Sequence, residues 1–143
     1  MQVRIKWVEN ACFVAESGSG HAIVLDGSPE IGGRNLGARP MELLLMSLGS
    51  CSAMDVISIL EKSRQDVTDC VIEVSGERAE TIPKVYTKIH VHYIVTGRQL
   101  KDPQVKRAVD LSAEKYCSVS AMLKLATELT YDYEVKEETP ATT

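Results

Sequence analysis

Aromatic residues are scarce. One phenylalanine, one tryptophan and five tyrosines make up 5% of 143 residues, so the core must be built mainly from aliphatic side chains. Basic clusters are missing as well. The 16 lysines and arginines are interspersed with 20 acidic residues and the net charge is −4, so nothing points to a nucleic-acid or membrane partner. None of the four cysteines (Cys12, Cys51, Cys70 and Cys117) has a partner at CxxC spacing, which removes a zinc ribbon and a thioredoxin-type motif. There is no internal repeat and no low-complexity segment. The opening "MQVRIKWVEN" alternates and has no apolar run; it is not read as a signal peptide, and a cytoplasmic, reducing location is expected. In that compartment a disulfide is more often catalytic than structural.

What is present is enough apolar residue, 44%, for one domain over residues 1–143, with 137–143 expected as a frayed tail. "QVRIKWV" places Val3, Ile5 and Trp7 on one face of a strand. "ACFVAES" and "HAIVLD" follow around the turn signal "GSG". "GSPEIGGRNLGARP" has glycines, prolines and no period, so it reads as a flexible loop; its glycines lack the spacing of a phosphate cradle. From Pro40, a residue suited to a first helical turn, a long helix is expected to about residue 64. Leu43 to Leu60 is long and apolar enough to raise a membrane question. Asp55 and several serines argue for a helix buried in protein, packed on more than one face.

"DCVIEVSGERAE" and "KVYTKIHVHYIVTG" read as two long strands. In the second, Ile89, Val91, Tyr93 and Val95 share the face opposite His90 and His92. "DPQVKRAVDLSAEKY" is an amphipathic helix with Asp102 as its expected cap and Pro103 as its first residue; "SVSAMLKLAT" is a shorter helix and "TYDYEV" a closing strand. The order βββ-α-ββ-αα-β predicts an α+β fold, antiparallel sheets around a long central helix.

Two cysteines stand in suggestive places. On a helix, Cys51 has Leu44, Ser47, Leu48, Met54, Asp55 and Ser58 as face neighbours. Burial and a nearby carboxylate both raise a thiol pKa, so a reactive Cys51 needs a cation from elsewhere; Arg34 and Arg39 in the preceding loop are the nearest suppliers. Cys117 precedes the helix expected from Ser118, where free N–H groups favour a thiolate. On residues alone Cys117 ranks as the more activatable thiol, and plain packing stays open for both. For Cys12 and Cys70, on strands, packing is the reading. Asp55 needs partners in an apolar helix: a backbone group by default, or the Cys51 proton by the sharper view. His90 and His92 could hold zinc with Glu73 across from them, but a solvated face accounts for them as well. No metal and no cofactor is called for.

"RPMELLLMSLGSCSAMDV" together with "AEKYCSVS" resembles the OsmC/Ohr family of bacterial thiol peroxidases, in particular its YhfA-like branch, and the likeness extends over nearly the whole chain. The resemblance implies an intertwined homodimer and reduction of organic hydroperoxides. Cys51 would attack the peroxide and become a sulfenic acid, Cys117 would condense with it to a disulfide, and a dithiol would reduce that bond. Arg39 or Arg34 would stabilise the thiolate, with Glu42 as a further catalytic candidate. The sequence departs from the family pattern at three places. Met41 follows Pro40 where the peroxidases place a glutamate, the first hairpin "ESGSGHAI" has no arginine, and Ser118 replaces a proline. These departures motivate an alternative, a non-catalytic dimer of the same fold that binds a small apolar or electrophilic ligand between its subunits.

Overall fold

The computed structural model describes residues 1–140, so the end of the expected frayed tail, residues 141–143, lies outside the described residues. The chain divides into two compact units, residues 1–44 and residues 45 onward, each built around its own three-stranded sheet.

The first unit is an antiparallel meander of β1 (Val3–Glu9), β2 (Cys12–Ser17) and β3 (Ala22–Leu25). The loop after it was expected to be flexible, and it is instead tightly tied. The buried Asp26 carboxylate accepts the backbone N–H groups of Gly27 (2.7 Å), Arg34 (3.2 Å) and Leu36 (3.1 Å). Its pKa feels burial as an upward push, and these three bonds overcome it, holding the carboxyl below its ordinary value. Close approach explains a glycine here: a Cβ on Gly33 would lie 1.9 Å from the Gly27 carbonyl oxygen.

Helix α1 (Pro40–Lys62) begins in the first unit and continues into the second. It is long and apolar enough to cross a membrane by length and composition. In the second unit Leu48, Ser52, Val56 and Leu60, each four residues apart, form one buried stripe. The expectation of packing on several faces is not met within one chain, because Met46 and Met54 remain exposed.

Beside α1 runs a sheet in the order β4 (Asp66–Arg78), β5 (Tyr86–Arg98), β6 (Glu128–Glu137). Strands β4 and β5 are antiparallel, with Glu73 opposite His92. The inner face of β5 is the expected one: Ile89, Val91, Tyr93 and Val95 are buried. β6 departs from the expected all-antiparallel sheet by pairing parallel to β5, Lys88 with Glu128 through Gly97 with Glu137. The cause is the connection. α2 (Asp102–Leu111) and α3 (Ser118–Leu123) carry the chain back along the sheet before β6 starts, and such a crossover produces a parallel pair. β6 continues to Glu137, and the Glu138 N–H bonds the Gly97 carbonyl at 2.8 Å, so the chain is held at the point where fraying was expected.

Helix α2 buries Val105, Ala108 and Val109 against the core formed with α1 and β5. Lys101 occupies its cap position, and Asp102 is the first residue, not the cap; the Asp102 carboxylate instead accepts the Tyr133 hydroxyl at 3.0 Å. The expected single helix over 102–116 is interrupted: Ser112–Tyr116 forms a wider, π-type turn, of the kind that often occurs at functional sites.

Candidate functional site

The second unit brings Cys51 and Cys117 together. Cys117 ends the wide turn and is 2% exposed; Cys51, on α1, is half-buried and packs against the same core. Both are free thiols, and they lie close enough for Cys51 to act on the Cys117 sulfur. Cys117 is the N-cap of α3, and its Sγ accepts the Ser120 N–H at 3.4 Å. That bond favours a thiolate, as the sequence suggested. Burial works the other way and prevails, and the adjoining Cys51 adds to it, so the Cys117 thiol is pushed up to about 11. The activation expected of Cys117 is therefore not met. A helix of six residues supplies only a small dipole, and it cannot offset the removal of the sulfur from water.

A polar cluster invisible in sequence order lies in the same unit. The buried Ser52 hydroxyl bonds both the Tyr93 hydroxyl and the Ser112 hydroxyl, the latter at 2.7 Å. Ser112 also reaches the Ser52 carbonyl at 3.2 Å and Asp55 Oδ2 at 3.1 Å. Asp55 thus takes a side-chain hydroxyl as its partner, not the backbone group expected of it. The Tyr93 phenol is raised by burial, opposed by its bond to Ser52, and raised further by Cys117 and Asp55 nearby. Two cues pointed here: a tyrosine on an otherwise aliphatic strand face, and a serine in an apolar helix stripe. Each brings a hydroxyl into the core that must find a partner.

The other three candidates belong to the first unit. Glu42 Oε1 accepts the Arg39 N–H at 2.8 Å. With Pro40 as the first helical residue, Glu42 is at the third position and satisfies the amide that opens α1, half of a capping box. Arg39 itself is held by its own loop, its guanidinium donating to Asn35 Oδ1 at 2.6 Å and to the Gly37 carbonyl at 3.2 Å. Arg34 pairs with Glu9 on the surface.

Cys12 is buried in β2, and Cys70 is pushed up by burial and by Asp69; both behave as packing residues. His90 and His92 do share a face, and both bond Asp132 Oδ1, at 3.0 and 2.6 Å. Among the described residues no group of three ligands is placed to hold a metal ion.

The fold and thiol pair define an α+β protein with two small sheets, a long central helix and two adjoining free cysteines. The chain belongs to the OsmC-like protein family, whose model matches residues 32–132. It is 54% identical to Protein YhfA of Escherichia coli over 94% of this chain and 98% of that protein. A solved structure of a hypothetical protein from Aquifex aeolicus is 40% identical and superposes with a TM-score of 0.84, covering 96% of this chain and 97% of that one. An organic hydroperoxide resistance protein OsmC from Legionella pneumophila shares the fold at 16% identity with a TM-score of 0.71, over 94% and 96% of the two chains.

Proposed function

We propose that the protein is a thiol-dependent peroxidase that reduces organic hydroperoxides through a Cys51–Cys117 disulfide. The observation that carries this reading is the proximity of the two free thiols, which pack against the same core. Membership of the OsmC-like family supports it, as do fold neighbours named for organic hydroperoxide resistance.

In the first step the Cys51 thiolate attacks the distal oxygen of the hydroperoxide. An S–O bond forms, the O–O bond breaks, and the alkoxide leaves with a proton as the alcohol. The half-buried Cys51 is the thiol of the pair with access to substrate. In the second step the Cys117 sulfur displaces hydroxide from the Cys51 sulfenic acid. The S–S bond forms, and the Cys117 proton leaves with that hydroxide as water. A thiol held protonated until this moment suits the second role: it carries the proton that the leaving group needs. An external dithiol then reduces the disulfide and restores both thiols.

The working form in this proposal is a homodimer located in the cytoplasm. Its support is the exposed apolar residues Met46 and Met54 on α1 and Val3, Ile5 and Trp7 on β1. Cys51→Ser tests the assignment: it should abolish consumption of cumene hydroperoxide while the fold is kept. Full activity in that variant would end the peroxidase reading. The alternative, a dimer that only binds an apolar or electrophilic ligand, would then stand.

A further inference from the structure

A cleft of about 510 Å³ opens between the second half of α1 and α2 with its wide turn. It belongs entirely to the second unit. Ile59, Leu111 and Tyr116 supply its apolar wall, Lys62, Arg107 and Asp55 its charges, and Ser63 a hydroxyl. Its size falls within the range of small-ligand sites, and its lining is about equally apolar and polar.

The charges decide what fits. Lys62 and Arg107 are both exposed, and neither has an ion pair among the described residues, although the protein carries more acidic than basic groups. By contrast the neighbouring Lys106 is paired to Asp110 at 2.5 Å. The one carboxylate in the cleft, Asp55, accepts the Ser112 hydroxyl at 3.1 Å, which orients it toward the interior cluster. Lys115 lies over the Tyr116 ring, 5.3 Å from its centroid, and adds positive charge beside the cleft. Two cations beside an apolar wall suit a negative group attached to an apolar body.

We propose that this cleft binds a small organic anion, with its carboxylate between Arg107 and Lys62 and its apolar body against Ile59, Leu111 and Tyr116. A guanidinium offers two parallel N–H donors to a carboxylate, and the lysine adds a point charge. The cleft contains neither thiol, and the proposal does not depend on peroxidase chemistry.

The test uses 4-phenylbutanoate as the probe and the uncharged 4-phenylbutan-1-ol as its control, added to the full chain while backbone amide NMR signals are followed. The carboxylate should give saturable shifts at Ser63, Arg107 and Tyr116, with the alcohol about tenfold weaker. Arg107→Gln and Lys62→Gln change exposed side chains, so both variants should fold, and each should weaken carboxylate binding several-fold. Cys51→Ser should bind as well as the parent, so that failure of the peroxidase reading and failure of this one give different results. Equal binding of acid and alcohol, unchanged binding in both variants, or no saturable shift at these amides would overturn the proposal. Shifts there that follow protein concentration and not the probe would overturn it too, by assigning the cleft to a second copy of the chain.

Discussion

The sulfur of Cys117 caps the helix that follows it, accepting the Ser120 N–H at 3.4 Å from a position that is 2% exposed. The helix terminus stabilises charge on the sulfur, and the core around it opposes that charge. Because burial prevails, Cys117 rests as a protonated thiol beside Cys51. A division of labour follows, in which one thiol is reachable and the other is held in reserve.

That division predicts alkylation order. In the native protein at pH 8, iodoacetamide should label Cys51 well before Cys117, which should react only on unfolding. Peptide mapping by mass spectrometry reads the order. Labelling of Cys117 first would show that its sulfur is neither buried nor protonated in solution.

The raised Cys117 pKa also has a consequence for stability. The folded pKa of about 11 lies above the unfolded value, about 8.5 for a free thiol. In the interval the unfolded chain loses the proton and the folded chain keeps it, so stability falls as pH rises through this window. Cys117→Ala should lose less stability than the parent between pH 8 and 10, by an amount on the order of 1 kcal/mol. Urea unfolding at several pH values measures it; parallel slopes for the two proteins would contradict the argument.

The Ser52–Tyr93–Ser112 cluster should show strong coupling. Ser52→Ala leaves the buried Tyr93 hydroxyl without a partner, at a cost of about 1–3 kcal/mol; Tyr93→Phe leaves Ser52 still bonded to Ser112 and should cost less. The double variant removes both ends of that bond and should cost less than the sum of the two. Additive losses would mean that the hydroxyls do not depend on one another.

Asp26 predicts acid sensitivity in the first unit. Burial raises its pKa, and the N–H groups of Leu36, Arg34 and Gly27 lower it by more. The stabilisation is present above the unfolded carboxyl pKa and is lost as pH falls through the lower folded value. Asp26→Asn should therefore be less stable at neutral pH and should flatten the acid limb of the stability curve. Equal acid limbs would count against the carboxylate as the anchor of the loop.

The imidazole of His92 is raised first by its bond to Asp132; burial is the next-largest effect and opposes the rise, and the charges of Asp132 and Glu134 add to it. Asp132→Asn should lower the His92 pKa, as read by NMR titration of the ring. Its contribution to stability is present below the unfolded pKa and disappears as pH rises through the folded one. An unmoved titration would show that Asp132 does not hold the ring.

Much of this was legible from local pattern. Alternation identified the inner face of β5 and the helical period identified α2, because each depends on neighbours in sequence. The parallel partner of β5 was not legible, since pairing direction depends on how the chain returns through α2 and α3. The burial of Cys117 was not legible for a related reason. Its position before a helix is a local feature, while its burial depends on α1, β5 and α2 arriving around it. Glu42 was readable in another sense. Its position two residues after Pro40 marks a capping glutamate, and the family likeness drew attention to chemistry instead.

The central claim is that Cys51 and Cys117 form a redox pair. The most direct measurement adds one equivalent of cumene hydroperoxide to the fully reduced protein, without other reductant, and follows intact mass with time. The account predicts rapid loss of two hydrogens, mapped to a Cys51–Cys117 disulfide. An unchanged mass, or slow oxidation scattered over Cys12, Cys70 and the methionines, would contradict it.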